Sequence, residues 1–325
     1  MTDSEALDKL RDAVRVRHFS LRTEKSYLMW LRSYMKAVRE YPAEWTPEKK
    51  IERFLTGEAR RGVSASTQNQ ALNALAFFYK AVLGVRLGQF EAVRARRPEH
   101  VRKALSVEET RAVLAQMEDV AGQPTRLVAL LLYGAGLRVT EPLELRVKDV
   151  DLAARRLVIR GAKGAKDRVV DLPAVLLEAM AAQLRTARAI WKADLAAELP
   201  VAMPGLLARK SPRLAFTEAW AWVFPAQMPR AHPRTGERVR WRMHEVHVQR
   251  AVRAAAVRAG LECRVTPHIL RHCYATHAHE AGAPVRNLQE VMGHTQITTT
   301  MRYLAPSPTG VRSPLDSLTS EAAVH

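Results

Sequence analysis

Residues 266–279 read Thr-Pro-His-Ile-Leu-Arg-His-Cys-Tyr-Ala-Thr-His-Ala-His, and the rest of the chain is best understood outward from this stretch. Thr266 followed by Pro267 is typical of a helix start, because the hydroxyl caps a backbone N–H and proline lacks the N–H that would be unpaired there. Gly282 predicts the end of the helix. His268 and Arg271 are three residues apart, so their side chains lie on one face of that helix.

Three more reactive residues flank this helix in sequence: Arg138 upstream, and His294 and Tyr303 downstream. Two guanidiniums, Arg138 and Arg271, can neutralise the charge that builds up on a phosphodiester under attack. The phenol of Tyr303 can attack phosphorus and form a phosphotyrosyl bond. That bond keeps the energy of the bond it replaces, so we expect no cofactor, no ATP and no metal. His294 can donate to another phosphate oxygen or orient the nucleophile.

A predicted hairpin carries two lysines that could supply the proton that the leaving group needs. Residues 156–160 and 168–172 alternate as short strands around Gly161-Ala-Lys-Gly-Ala-Lys166. Lys163 is our candidate general acid, and Lys166 is the competing choice. Glu141, just past Arg138, is placed to brace an active-site arginine or histidine.

Each of these residues alone is a weak signal, because most tyrosines are core aromatics and most hairpin lysines are solvated. The histidines at 268, 272, 277 and 279 also suggest a metal site, but neither an acid nor a cysteine completes a ligand set. We expect Cys273 to be buried packing. The order and spacing of the whole set carry the catalytic interpretation.

The set resembles the tyrosine recombinases of the phage-integrase class. Tyr133-Gly-Ala-Gly-Leu-Arg-Val-Thr-Glu141, Gly161-Ala-Lys-Gly-Ala-Lys-Asp-Arg168 and residues 266–277 are motifs general to that family. Four other stretches resemble the integron integrases in particular: Ser20-Leu-Arg-Thr-Glu24, Ala65-Ser-Thr-Gln-Asn-Gln-Ala-Leu72, the insert from Leu207 to Pro225, and Gly310-Val-Arg-Ser-Pro-Leu-Asp316. The resemblance covers nearly the whole chain.

We therefore expect a mainly α fold with a small antiparallel β-sheet, arranged as a two-domain DNA clamp. We expect residues 1–95 to form an N-terminal helical core-binding (SAM-like) domain. We expect residues 96–104 to form a basic interdomain linker or a solvated loop. Residues 105–303 predict a mixed α/β catalytic domain with an integron-type insert at about 200–245. Residues 304–325 predict either an arm that docks on a neighbouring protomer or a disordered tail.

By this resemblance, the protein cleaves and rejoins DNA through a 3′-phosphotyrosyl intermediate and moves gene cassettes between integron attachment sites, some of which are folded single-strand hairpins. Extrahelical bases mark such hairpins, and we expect Pro233, Trp241, Arg242 and His244 to recognise them. The chain departs from the family here, because Trp241-Arg242 stands where two adjacent histidines are usual. Trp241 is predicted either to stack on a flipped base or to pack in a core or domain interface.

The resemblance also implies a homotetramer on two DNA sites and further DNA contacts. We expect those contacts from Arg22, Lys25, Gln68, Asn69, Arg96, Arg97, Lys166 and Arg168.

Composition agrees with a nucleic-acid partner. The chain has 325 residues and a formal net charge of +18, which favours a polyanion unless the whole source proteome is basic. Two cysteines imply no disulfide framework, and the longest apolar run, Leu127–Leu137, is too short for a bilayer. We expect a cytoplasmic, nucleoid-associated bacterial protein without a membrane partner or a small-molecule substrate.

Other functions remain open at this point. A phage or chromosome-dimer-resolving recombinase would carry the same catalytic set, as would a type IB topoisomerase. A non-catalytic DNA-binding relative would keep the fold without forming a covalent adduct.

Overall fold

A computed structural model describes residues 1–88, 104–162, 166–204, 207–294 and 296–301. The chain divides into two compact units, Met1–His100 and Val101–His325. Several expectations fall outside the described residues: Arg96 and Arg97 of the linker, Lys163, Tyr303 and the arm at 304–325.

The first unit consists of four helices in its described part. They are α1 (Asp3–Val16), α2 (Leu21–Val38), α3 (Pro47–Arg60) and α4 (Ala65–Ala81). Each begins after a serine or threonine whose hydroxyl accepts a backbone N–H three residues on. Thr46 caps α3, and Pro47 is the first residue of that helix. Buried side chains such as Leu10, Leu31 and Ile51 fill the core between the helices.

The second unit surrounds α6 and α11 with other helices and two small sheets. Its helices are α5 (Val107–Ala115), α6 (Thr125–Gly134), α7 (Thr140–Leu143), α8 (Leu177–Ala196), α9 (Leu207–Lys210), α10 (Glu245–Arg258), α11 (Pro267–Glu280), α12 (Val285–Met292) and α13 (Ile297–Met301). Its strands are β1 (Val150–Asp151), β2 (Arg156–Ala162), β3 (Lys166–Asp171), β4 (Arg230–Ala231) and β5 (Arg238–Val239). Strands β1, β2 and β3 form one antiparallel sheet in that order, and β4 pairs with β5.

The apolar run that the sequence singled out forms the centre of this unit. Val128, Leu131 and Leu132 on α6 are fully buried, and α6 packs against both α10 and α11. Ser106 and Glu109 make a capping box at the start of α5. Cys273 is buried on α11, as predicted. Because α11 lies against the central helix, the residues of its first turns have a rigid support.

The insert is held in place by buried arginines and not by a regular apolar face, which explains why its apolar residues show little helical or strand periodicity. The buried guanidinium of Arg146 donates to the carbonyls of Trp220 (2.6 Å) and Ala202 (2.8 Å). Arg240 pairs with Asp194 on α8 and donates to the carbonyls of Ala226 and Gln227. Buried arginines that bind backbone carbonyls thus hold the insert on the domain, and such contacts leave no repeat in the sequence.

None of the described helices combines the length and the apolar character of a membrane span.

Candidate active site

The guanidinium of Arg271 is buried at the centre of the site. Only 1% of its side chain is exposed, and it projects from the second turn of α11. Nη1 donates to the carbonyl of Gly136 (2.7 Å), and Nη2 donates to the carbonyl of Met292 (2.6 Å). One arginine therefore joins the turn after α6 to the end of α12.

Gly136 is required by that turn for two reasons. Its φ is +62°, a region that side chains with a Cβ avoid. A Cβ there would also overlap the ring of Tyr274, which covers the glycine. The turn brings the next segment, including Arg138, toward α11.

We expect Gly136→Ala to lower the free energy of unfolding by about 2–4 kcal/mol, from left-handed backbone strain and the overlap with Tyr274. Gly260→Ala is the matched control: Gly260 has a φ of +75° and open space where a Cβ would stand. The control is expected to lose only the backbone part, about 1 kcal/mol. Urea titration of both variants measures the difference, and equal losses would show that Tyr274 does not constrain this turn.

The carboxylate of Glu141 fixes the positions of three arginine side chains relative to one another. It accepts the backbone N–H of Arg138 (2.8 Å) and that residue's Nη1 (2.7 Å). Arg168 on β3 binds it through two nitrogens, at 3.0 and 2.7 Å, and Arg271 Nη1 lies 3.6 Å away. Burial on its own would raise the pKa of Glu141, but the bond and charge of Arg168, with Arg138 and Arg271, hold that pKa below its ordinary value. The predicted bracing contact between Glu141 and an arginine is present. Three guanidiniums facing one carboxylate leave a surplus of positive charge.

The end of α12 collects all three guanidiniums. The consecutive carbonyls of residues 291, 292 and 293 accept from Arg168 (2.7 Å), Arg271 (2.6 Å) and Arg138 (3.1 Å) respectively. Carbonyls at a helix C-terminus lack intrahelical partners and carry the negative end of the helix dipole, so cations are stabilised there. The C-terminus of α12 therefore fixes where the positive charge of the site lies.

Gly293 precedes His294 because the end of α12 requires a residue with left-handed backbone. Gly293 takes the left-handed conformation that ends α12, with φ +61°. The N–H of Gly293 bonds to the carbonyl of Glu290, and that of His294 bonds to the carbonyl of Gln289, the pattern of a Schellman cap. The glycine turns the chain so that His294 follows immediately beside Arg271.

His294 is held from both sides of its ring. Nε2 lies 3.0 Å from Arg271 Nη2, and Nδ1 lies 2.9 Å from Thr300 Oγ1. Burial, together with the charges of Arg271, Arg138, Arg168 and His268, lowers the pKa of His294 to about 4. The ring is therefore neutral at pH 7. Because the folded pKa lies below the unfolded value, this residue destabilises the fold as pH falls from about 6.5 toward 4.

His268 lies in the first turn of α11 with its side chain exposed, on the same face as Arg271. Its charge contributes to the lowered pKa of His294, which places it near that ring. The structure thus brings together Arg138, Glu141, His268, Arg271 and His294 among the residues that the sequence predicted. Within the described ranges, no group of three or more His, Cys, Asp or Glu is placed to hold a metal ion.

The expectation that Arg168 contacts DNA needs correction. Its side chain is only 11% exposed, and all three of its nitrogens donate to Glu141 or to the carbonyl of Val291. The side chain is thus occupied within the protein. Lys166 begins β3, where its backbone pairs with Ala162 of β2.

The other expected DNA contacts lie on the first unit. Arg22 and Lys25 are exposed on α2, whereas Gln68 and Asn69 are partly buried on α4. The amide nitrogen of Gln68 donates to the carbonyl of Val63 (2.6 Å), so Gln68 also ties α4 to the preceding loop.

The residues expected to recognise extrahelical bases lie in the insert. Pro233 is exposed in the turn between β4 and β5, and His244 caps α10 through Nδ1. Trp241 is partly buried, packs against the cluster of Ala202, Trp222 and Val239, and stacks on His232 with ring centroids 5.4 Å apart. Arg242 lies 3.4 Å from Glu144.

A cavity of about 470 Å³ lies between the insert and strand β2, and it reaches Glu141. Its walls combine indole rings with basic side chains: Trp220, Trp222, Trp241, Arg146, Lys148, Arg160 and Arg242. The sequence interpretation did not include Trp220 and Lys148 among the site residues. The ammonium of Lys148 lies over the ring of Trp220. Three tryptophans within 22 residues were the available signal.

Comparison with known proteins follows the division of the chain. Residues 6–89 match the model described as "Phage integrase, N-terminal SAM-like domain", and residues 103–309 match the "Phage integrase family". An integrase/recombinase of Escherichia coli is 39% identical over 97% of this chain and 94% of its own length. Tyrosine recombinase XerA of Thermococcus onnurineus is 31% identical over 86% of this chain and 83% of its own.

Solved structures show the same fold at low identity. The Tn1549 transposon integrase in complex with transposon right-end DNA has a TM-score of 0.61 at 17% identity, covering 98% of both chains. A lambda integrase tetramer bound to a Holliday junction has a TM-score of 0.61 at 18% identity, covering 94% of this chain and 78% of that one. The predicted fold class, mainly helical with small antiparallel sheets, is confirmed. The chain belongs to the phage integrase family and is a tyrosine recombinase, a DNA strand transferase.

Proposed function

We propose that this recombinase cleaves DNA with Tyr303 as nucleophile and Arg138, Arg271 and His294 around the scissile phosphate. The observation that carries the proposal is the convergence of three guanidiniums on the end of α12, with one carboxylate to balance them. A site with such a surplus of fixed positive charge suits a phosphodiester whose negative charge increases in the transition state. The sequence places Tyr303 nine residues after His294.

The proposed step conserves bonds and protons. The Tyr303 oxygen attacks phosphorus and loses its proton, for which exposed His268 is a suitable acceptor. The bond from phosphorus to the 5′-oxygen breaks as the phosphotyrosyl bond forms. Lys163 delivers a proton to that leaving oxygen, and Lys166 is the alternative donor. Attack by a 5′-hydroxyl reverses the step and reseals the strand.

The proposed partners are DNA and further copies of this chain. The net charge of +18 favours a polyanion, and exposed Arg22 and Lys25 fit phosphate contacts. The Tn1549 integrase is seen in complex with DNA, and lambda integrase as a tetramer on a Holliday junction. We infer that this chain likewise acts as a tetramer on two sites, with residues 304–318 as the segment exchanged between protomers.

The finer proposal is that the sites include folded hairpins of integron type, read through extrahelical bases. The cavity beside the insert supports this, because indole rings and cations suit a base and its phosphate. His232 covers one face of Trp241, so a base would stack on the other. Trp241 and Arg242 would then replace the usual histidine pair.

The test is capture of the covalent intermediate with the full-length protein. Two pools of nicked oligonucleotides carry the same randomised arms, one as a plain duplex and one as a hairpin with unpaired bases. Denaturant-stable adducts are counted over a salt series, with Tyr303→Phe as the control. Adduct on the hairpin pool alone, absent in the control, supports the full proposal. Adduct on the duplex alone contradicts the integron part, and bound DNA without any adduct contradicts the catalytic part.

A further inference from the structure

Thr300 is a buried hydroxyl beside the site, and the predicted mechanism gives it no role. It lies on α13, is 0% exposed, and its Oγ1 lies 2.9 Å from His294 Nδ1. The opposite ring nitrogen, Nε2, lies 3.0 Å from Arg271 Nη2. His294 is therefore clamped between the buried arginine and the helix that precedes Tyr303 in sequence.

This geometry determines which ring nitrogen carries the proton. A guanidinium only donates hydrogen bonds, so Nε2 must offer its lone pair to Arg271. A neutral imidazole then carries its proton on Nδ1, and the Thr300 oxygen accepts it. A second proton on Nε2 would oppose the Arg271 N–H directly. Burial and the neighbouring cations lower the pKa of His294 to about 4, which agrees with a neutral ring.

We propose that Thr300 is a positioning residue that, together with Arg271, sets the tautomer of His294 and holds α13 against the His294–Arg271 pair. The inference rests on the proposed function, in which His294 faces the phosphate. Because Tyr303 follows Thr300 by three residues, the same hydroxyl orients the histidine and anchors the segment that leads to the nucleophile.

A hydroxyl suits this position better than a carbonyl or a carboxylate, because it both accepts and donates. When a phosphate oxygen replaces His294 as the partner of Arg271 Nη2, the lone pair on Nε2 would face an anion. The ring then releases its Nδ1 proton to solvent and takes one up at Nε2, so its charge is unchanged. Thr300 rotates its O–H to donate to Nδ1, and the new Nε2–H donates to the phosphate oxygen.

The groups around the ring make this tautomer exchange preferable to protonation. Arg271 and His268 face it from α11, Arg168 from β3, and Arg138 from the turn before α7, while Glu141 supplies the one carboxylate among these neighbours. An imidazolium would add positive charge to this set.

The test compares Thr300→Val, which keeps the shape and loses the hydroxyl, with Thr300→Ser, which keeps the hydroxyl. Both are made in the full-length protein and assayed for adduct formation on the nicked DNA pools. We expect the rate for Thr300→Val to fall at least roughly tenfold with an altered pH profile and little change in DNA affinity. Thr300→Ser should stay within about threefold of wild type. A wild-type rate and pH profile for Thr300→Val, or an equal loss for Thr300→Ser, would overturn the proposal.

A second measurement does not depend on activity. Nitrogen NMR of protein labelled at histidine, with His294→Asn for assignment, reports which ring nitrogen is protonated. We expect the Nδ1–H form in wild type and in Thr300→Ser. In Thr300→Val we expect a mixture of both tautomers, because Nδ1–H loses its acceptor and the ring is no longer held against Arg271. An Nε2–H ring in the wild type without DNA would contradict the inference even if the enzyme is active. If the wild type forms no adduct, the proposed function fails, while the NMR result still decides the tautomer.

Discussion

Arg271→Lys is expected to slow covalent adduct formation by roughly 10³-fold, the loss typical of a main donor to transition-state charge. The guanidinium of Arg271 reaches the carbonyls of Gly136 and Met292 and the ring of His294 at the same time. An ammonium is a point charge on a flexible stem and cannot reproduce that planar set of donors. The substitution keeps the positive charge, so the loss of rate would report the contribution of the guanidinium's donor geometry.

The same substitution is expected to destabilise the second unit by about 2–4 kcal/mol. The side chain is 1% exposed, so any carbonyl that loses its donor stays buried without a partner. Arg258→Lys is the matched control, because Arg258 stands at the exposed end of α10 and donates to the carbonyl of Gln116. We expect the control to keep both stability and rate.

Binding and chemistry can be separated in this experiment. DNA affinity measured by fluorescence anisotropy should fall far less than the adduct rate, because affinity comes from many phosphate contacts. Adduct formation by Arg271→Lys at more than about a tenth of the wild-type rate would show that Arg271 is not a main donor to the transition state.

Most of the fold could be predicted from local signals. Thr266-Pro267 and Gly282 bracket the observed α11, the apolar run Leu127–Leu137 overlaps α6, and the alternating segments 156–160 and 168–172 overlap β2 and β3. The proposed catalytic residues were chosen from the sequence by type and spacing, because the proposed chemistry requires those groups.

What the sequence interpretation missed are contacts between distant segments. Arg168 was expected on DNA, yet its alternation with Val170 and Leu172, both 2% exposed, already placed it on the inner face of β3. A basic residue on a buried strand face needs a buried acid, and Glu141 lies 27 residues earlier. Thr300 gave no comparable signal, since its role depends on how α13 meets the end of α12.

Glu141→Gln is expected to lower the free energy of unfolding by about 3–5 kcal/mol, the cost of breaking a buried ion pair by removing one partner. The carboxylate accepts four N–H groups from Arg138 and Arg168, and Arg271 lies close by. A glutamine offers one oxygen and points an NH₂ at these cations. Glu144→Gln is the control, because that side chain is 52% exposed and its ion pair with Arg242 is long, at 3.4 Å.

The pH dependence of stability gives a second, independent measure of the same contact. The pKa of Glu141 is held below its ordinary value, so its stabilising effect is complete above that ordinary value and is lost as pH falls through the lowered one. Urea titrations from pH 7 to pH 3 should therefore show wild type and Glu141→Gln converging in acid. Burial raises the pKa of Glu144, so Glu144→Gln should differ from wild type in the opposite sense: it should be no less stable at pH 7, and the gap should close in acid. A constant gap between wild type and Glu141→Gln would mean that the variant loses packing, and that the arginines of this site do not depend on the carboxylate charge.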